Sequence, residues 1–172
     1  MRKLTPKEFQ EIRLNYKPTN IKVLFIGEAP PAAGKFFYLA KSDLFENTRE
    51  VFLKVYNKKI GGYEFLDFFK SLGCYLDDLC FEPVDDLPAE VRKTKCKGSV
   101  DELSERIKKF DPLVIIVVIK CIKEEVDEAI KKSGVNIRTY YLPFPRYIWQ
   151  QEKYKKELEE ILIKLRREKI LL

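Results

Sequence analysis

The run Leu113–Ile119 constrains the fold of this chain more than any other segment. All of its residues are apolar and most are β-branched, a composition typical of a strand that is buried on both faces of a parallel sheet. The run is too short to span a bilayer, which needs about 20 residues. A sheet that is covered by helices on both sides is therefore the architecture to expect from the rest of the chain.

Strand and helix patterns alternate on either side of this run. Further strands are predicted at Ile21–Ile26, Cys74–Phe81 and Val135–Leu142, and helices at Leu44–Tyr56, Tyr63–Leu72, Ser99–Phe110, Ile122–Lys132 and Trp149–Arg167. Ser99 and Glu102 fit a capping box, whereas the charged segment Pro83–Gly98 contains two prolines and is expected to be a long irregular excursion. The alternation predicts one three-layer α/β/α domain over residues 1–172, with a central, mainly parallel sheet of about four strands.

Charge and cysteine content exclude few classes of function. The net charge of +6 permits binding to DNA or another polyanion, although each basic cluster also fits a solvated surface. The four cysteines lack the spacing of a secreted scaffold or a zinc knuckle, and the charged segment Met1–Asn20 lacks the apolar stretch of a signal peptide. Free thiols, no membrane partner and a cytoplasmic location are therefore expected. Abundant Lys, Glu and Ile with no His are typical of a heat-adapted protein.

Two segments of unusual composition, Gly27–Pro31 and Leu142–Pro145, each follow a predicted strand. Ligands of parallel α/β sheets bind beyond the carboxyl ends of the strands, so both segments are expected to face one pocket. Gly27 allows a sharp turn, and Glu28 places a carboxylate where it can orient a water molecule. The same residues also fit a turn whose only role is geometric.

The first of these segments resembles the first motif of the uracil-DNA glycosylase superfamily, in particular of its thermostable iron–sulfur branch. That motif reads Gly-Glu-Ala-Pro-Gly; Gly27–Pro30 match it and Pro31 departs from it. The segment Gly34–Phe37 resembles the Gly-Arg-Pro-Phe that follows in that branch. The resemblance extends from about Ile21 to Gln151 and implies a glycosylase-like fold.

The resemblance also implies roles for individual residues. Glu28 would be the catalytic group that holds water near the sugar carbon, and Phe37 would stack on a base extruded from DNA. The remaining residues of the two matching stretches, expected to contact the substrate, are Gly27, Ala29, Pro30 and Gly34, and Lys35 is a candidate contact to nucleic acid.

The second segment resembles the other superfamily motif, His-Pro-Ser-Pro, but it has lost the histidine. Leu142 and Phe144 are expected beside the substrate, and no side chain here replaces the donor to the departing base. Arg146 falls where the superfamily inserts a side chain into the duplex. Trp149 suits stacking on a base, but its position at the start of an amphipathic helix favours a place in the core.

Two acidic residues and two cysteines complete the candidates. Asp77 and Asp78 either read a base edge or form a solvated or capping pair. Cys80 and Cys96 resemble the two later cluster ligands of the iron–sulfur branch, yet the early pair is absent and a cluster normally needs four thiolates. Buried free thiols, without a metal or another cofactor, are expected.

Three functions are open at this point. The first is a glycosylase-type enzyme that acts on a damaged base in DNA. The second is a module that binds nucleic acid or a nucleotide and has lost the chemistry. The third is a different small-molecule enzyme in the same crevice, with Lys35, Asp77 or Asp78 in the active role. A glycosylase-like protein with weakened or altered chemistry is the prediction that the sequence favours.

Overall fold

The computed structural model describes residues 2–172, and in this range it contains one sheet of four parallel strands. The strands are β1 (Val23–Gly27), β2 (Cys74–Asp78), β3 (Val114–Val117) and β4 (Arg138–Tyr141). They are arranged in the order β2-β1-β3-β4. The predicted parallel sheet is confirmed. Its strands are shorter than the apolar runs from which they are predicted, because the outer residues of each run lie in loops.

Helices cover both faces of this sheet. They are α1 (Pro6–Leu14), α2 (Asp43–Tyr56), α3 (Gly62–Ser71), α4 (Ala89–Gly98), α5 (Val100–Phe110), α6 (Lys123–Ser133) and α7 (Ile148–Arg167). Helix α2 packs against α7, and α5 packs against α6. The predicted three-layer α/β/α architecture is confirmed. Among the described residues, no helix is both long and apolar enough to cross a membrane.

Position in the sheet explains the composition of β1, β3 and β4. The inner strands β1 and β3 are buried along their whole length, because they have a neighbouring strand on each side and helices on each face. Strand β4 lies at one edge, and its four residues are only partly buried. This difference explains why β4 tolerates Arg138 and Thr139 while β3 is wholly apolar.

The prediction of an irregular excursion over Pro83–Gly98 is wrong, because α4 occupies the last ten residues of that segment. Both prolines precede the helix, and Pro88 takes its N-cap position, where a missing N–H removes no intrahelical hydrogen bond. The capping box predicted at Ser99 is also wrong. Helix α5 follows α4 almost directly, and the Ser99 hydroxyl instead donates backwards to the carbonyl oxygen of Lys95 at 2.8 Å.

Helix α1 has no counterpart among the predicted elements. Thr5 caps it in a capping box: the Glu8 amide donates to Thr5 Oγ1 at 3.2 Å, and the Thr5 amide donates to the Glu8 carboxylate at 2.8 Å. The face that α1 turns inward carries Phe9 and Arg13, both buried. A buried arginine needs acidic partners, and Asp77 and Asp78 at the end of β2 bind Arg13.

Candidate functional site

The carboxyl ends of the four strands lie at one edge of the sheet, and a cavity of 460 Å³ opens there. Gly27 is paired with Asp78 across β1 and β2, and Val117 is paired with Tyr141 across β3 and β4. Because β2 and β3 lie on opposite sides of β1, the chain changes direction at β1, and such switch points are where open α/β sheets bind ligands. The cavity has the size of an ordinary small-molecule site, about 300–1,000 Å³.

The structure brings most of the predicted site residues together in this cavity. Its walls include Gly27, Glu28, Ala29, Pro30, Lys35, Phe37, Asp78, Phe144 and Arg146. The segment after β1 therefore shares one pocket with Phe144 and Arg146, which follow β4, as the positions of both segments after parallel strands predict. Gly34, Asp77, Leu142 and Trp149 do not line it. Another groove, of 590 Å³ along α2 and α7, contains none of the predicted residues.

Gly27 is required by a close approach between the two strands. A Cβ atom at this position would lie 2.4 Å from Asp78 Oδ1, well inside contact distance. The absence of a side chain thus allows the Asp78 carboxyl to lie against the end of β1. Gly27 and Asp78 therefore pack directly against each other.

Glu28 is buried on the cavity wall, and both of its carboxylate oxygens have partners. Arg92, on α4, donates from Nε to Oε1 and from Nη2 to Oε2. The Cys121 thiol donates to Oε2 at 3.4 Å, and the Glu28 carbonyl oxygen accepts from the amide of Cys80 at 2.8 Å. Glu28 is therefore held in place from several directions.

Asp77 and Asp78 are buried ion-pair partners, so the solvated alternative for them is wrong. Arg13 donates to Asp77 Oδ1 at 2.9 Å and to Asp78 Oδ2 at 2.6 Å. Arg106 donates to Asp77 Oδ2 at 2.8 Å. Burial raises the pKa of the Asp78 carboxyl, an effect that the charge of Arg13 partly offsets. Both carboxylate oxygens of Asp77 are thus bound by arginines, whereas Asp78 also lines the cavity.

Aromatic rings form the apolar part of the wall. Phe37 is 3% exposed, and its ring packs against Tyr38, Phe45 and Phe69 at centroid distances of 5.2–5.6 Å. Phe144 is only partly buried. A fixed ring and a more exposed one thus line the same cavity, and aromatic surfaces of this kind suit a planar ligand.

The remaining predicted contacts lie outside the cavity. Leu142 is buried, and its amide donates to the Val117 carbonyl oxygen at 2.8 Å, which extends the sheet. Gly34 adopts a φ of 77° in the loop, where a glycine is favoured. Trp149 is 68% exposed, so the expectation of a core position is wrong. It lies in the first turn of α7 beside Ile148, and both Ile148 and the N-cap residue Tyr147 are also exposed.

The cysteines are free thiols, and Cys74, Cys80 and Cys96 are buried; Cys121 is exposed, so the expectation of a buried thiol is wrong for that residue. Cys80 Sγ and Cys96 Sγ lie 3.7 Å apart. Cys74 is buried in β2, and burial raises its pKa. Among residues 2–172, no group of His, Cys, Asp or Glu side chains is arranged to hold a metal ion.

Three arginines of this region were missed by sequence reasoning. Arg92 belongs to a basic cluster that resembles a solvated surface, and Arg13 and Arg106 are in helices far along the chain from their aspartates. The ion pairs join residues 64 positions apart for Arg13 and Asp77 and for Arg92 and Glu28. A single sequence gives no signal for pairs so distant.

No family model matches this chain, and no similar protein is found among curated proteins. The glycosylase resemblance therefore rests on the two motifs and on the order of the elements.

Proposed function

We propose that this protein binds a damaged base of DNA in the cavity at the carboxyl edge of its sheet, in the manner of a uracil-DNA glycosylase with altered chemistry. The observation that carries the proposal is the convergence of Glu28, Phe37, Asp78 and Phe144 on one cavity. These residues supply the features that a flipped base requires, namely aromatic surfaces and a polar group at the base edge.

Asp78 is the residue best placed to recognise the base edge. Its Oδ2 accepts from Arg13, while none of the hydrogen bonds of the described residues uses its Oδ1. A carboxylate oxygen accepts from ring or exocyclic N–H groups, and a protonated carboxyl donates to a carbonyl. The proposal therefore favours bases that present such groups, including uracil, hypoxanthine and xanthine.

Hydrolysis of the N-glycosidic bond would be slow in this protein. The sequence contains no histidine, and losing one donor to a developing negative charge typically costs about 10²–10³ in rate. Binding without hydrolysis is the second candidate function. It is favoured by the ion pair between Glu28 and Arg92, since a carboxylate whose oxygens both accept from an arginine is poorly suited to activate water.

The test is a comparison of matched oligonucleotides that carry uracil, hypoxanthine, xanthine or a normal base. We expect at least one damaged base to be bound more tightly, by fluorescence anisotropy, than its normal counterpart. F144A should remove this preference, because Phe144 is part of the wall and is exposed enough for the variant to fold. Y63A, which truncates an exposed ring of α3, is the control.

Product analysis separates the two candidates. Abasic sites formed on a damaged strand, and lost in E28Q, would support the enzyme. Selective binding with no abasic product would support the binding module. Equal affinity for all strands together with no abasic product would refute the proposal.

A further inference from the structure

Some charged side chains of the cavity wall have an ion-pair partner and others have none. Lys35, Arg92 and Arg146 line it, and Lys35 and Arg146 form no ion pair with a carboxylate of residues 2–172. The buried acids do have donors, as described above for Glu28 and Asp78. Of the exposed acids, Asp85 accepts from the Ala32 amide at 3.0 Å, and Asp43 lies in the first turn of α2, where the helix dipole stabilises an acid. Within the described part of the chain, Lys35 and Arg146 are thus cations of the wall without an acidic partner, and Asp43 and Asp85 are acids of the wall without a basic one.

Arg92 is the cation that the structure holds most firmly. Its Nε and Nη2 both donate to Glu28, so one edge of the guanidinium is fixed. A guanidinium has five N–H donors, and no hydrogen bond of the described residues uses the pair on Nη1. The side chain is 38% exposed, so the unused edge can be reached by a ligand.

We propose that Arg92 binds a phosphate group of the occupant and that Glu28 is the residue that positions it. This inference rests on the proposed function for the base and adds that the ligand is a nucleotide whose phosphate lies on Arg92, with Lys35 and Arg146 adding positive charge. Arg pairs with phosphate through parallel N–H bonds, and an arginine that is already held loses little freedom on binding. The phosphate is a terminal monoester or the diester of a strand.

Calorimetry with deoxyuridine and its 5′-monophosphate tests the proposal directly, and the inosine pair repeats the test with hypoxanthine. We expect the monophosphate to bind at least about tenfold more tightly than the nucleoside, in line with a charge-assisted hydrogen-bond pair. R92Q should remove this gain, so that the ratio of monophosphate to nucleoside affinity within the variant falls to about one. R92K keeps the charge but loses the fork, and should retain only part of the gain.

The positioning role of Glu28 has its own readout. In E28Q the arginine keeps its charge but loses its ionic partner, so the gain from the phosphate, taken as the ratio of monophosphate to nucleoside affinity within that variant, should fall. R138Q is the matched control, because it breaks a two-bond pair with Glu168 at the surface and should leave the gain intact. Circular dichroism confirms that each variant is folded. A gain that is undiminished in R92Q or E28Q would overturn the assignment of that residue.

Dependence on pH and on strand context identifies the source of the phosphate. The second ionisation of a phosphate monoester occurs near pH 6, so affinity for a monoester should rise as the pH increases through that value. A 5′-phosphorylated oligonucleotide should then bind more tightly than the same oligonucleotide without the phosphate, by about the factor seen for the mononucleotide. A gain that is already complete in an oligonucleotide without a terminal phosphate assigns the site to a diester.

The failures of the two proposals are distinguishable. Equal affinity for nucleoside and monophosphate would overturn the phosphate site and leave base binding in place. Binding of inorganic phosphate that R92Q abolishes, with no binding of any nucleoside and no preference among bases, would support the phosphate site and overturn base binding.

Discussion

At the scale of single residues, the contact between Gly27 and Asp78 predicts that G27A destabilises the protein. The new methyl group would approach Asp78 Oδ1, and Asp78 cannot move freely because Oδ2 is bound to Arg13. Inserting a methyl group into a packed site costs about 1–3 kcal/mol in the free energy of unfolding, measurable by urea denaturation.

The control for this variant is G98A. Apart from its own helix backbone and chain neighbours, no atom lies within 4 Å of a Cβ built at Gly98, the last residue of α4, so an alanine there should not lower the stability of the protein. Unchanged stability in G27A would show that the strand ends are looser than described.

The buried arginine predicts a deficit in stability that depends on pH. R13M leaves Asp78 without its ionic partner and should cost about 3–5 kcal/mol at pH 7. The pKa of Asp78, already raised by burial, would rise further in the folded variant. A carboxyl whose folded pKa exceeds its unfolded value stabilises the fold at low pH and loses that contribution as the pH rises through the folded pKa. The deficit should therefore shrink as the pH is lowered towards 4.

Urea denaturation of R13M and of the parent protein at several pH values checks this prediction. R138M, which removes an exposed pair, should cost no more than about 1 kcal/mol. A deficit in R13M that is the same at pH 4 and pH 7 would contradict the role assigned to Asp78.

The reactivity of the Cys121 thiol should depend on its contact with the Glu28 carboxylate. Local desolvation of the sulfur and the neighbouring Glu28 carboxylate raise the pKa of Cys121 to about 11, although the residue is exposed. Only ~10⁻³ of it is therefore thiolate at pH 8, against roughly a tenth for a thiol with a pKa near 9. Alkylation by iodoacetamide at pH 8 should be slow and should accelerate several-fold in E28Q. Mass spectrometry of the labelled peptide measures both rates. Equal rates would place Glu28 away from the thiol.

At the scale of elements, the edge strand β2 is completed by a side chain instead of a strand. The Tyr38 hydroxyl donates to the Leu76 carbonyl oxygen at 2.9 Å and accepts from the Leu76 amide at 2.7 Å. One phenol therefore satisfies both groups of a buried peptide and blocks that edge against pairing with another chain.

Y38F should lower the free energy of unfolding by about 1–3 kcal/mol, because it leaves two backbone groups without a partner. Thermal or urea denaturation measures the loss. The control is Y63F, since the Tyr63 hydroxyl is exposed and lies 3.5 Å from its nearest acceptor. Equal stability of the two variants would mean that water replaces the phenol at β2.

At the scale of the whole molecule, the net charge of +6 predicts that the proposed binding of DNA weakens with salt. Each phosphate contact contributes about −0.9 to the slope of log K against log salt on duplex DNA. If Lys35 and Arg146 contact phosphates, the double variant K35Q/R146Q should reduce the steepness of the slope by about 2. The control K153Q/K156Q removes the same charge from α7, away from the cavity, and should leave the slope unchanged. Identical slopes in both double variants would assign the salt dependence to net charge alone.

The sheet and most helices follow from the sequence because their signals are local. The apolar run at β3 shows that the strand is covered on both faces, and the period of apolar residues in α2 and α7 shows which side packs inward. The shared edge of Gly27 and Phe144 is equally predictable, since parallel strands must end on the same side of a sheet. These features need no knowledge of distant contacts.

Only the tertiary structure decides which partners the candidate residues have. Asp77 and Glu28 are both acidic residues near the carboxyl end of a strand. Asp77 is enclosed by Arg13 and Arg106, whereas Glu28 pairs with Arg92 on the wall of the cavity. Trp149 has the position of a core residue and is exposed, because the inward face of α7 is taken by Tyr154, Leu158 and the apolar residues that follow. The physical reason is that the energy of a charged or aromatic side chain depends on what surrounds it, and those neighbours come from segments that only folding brings together.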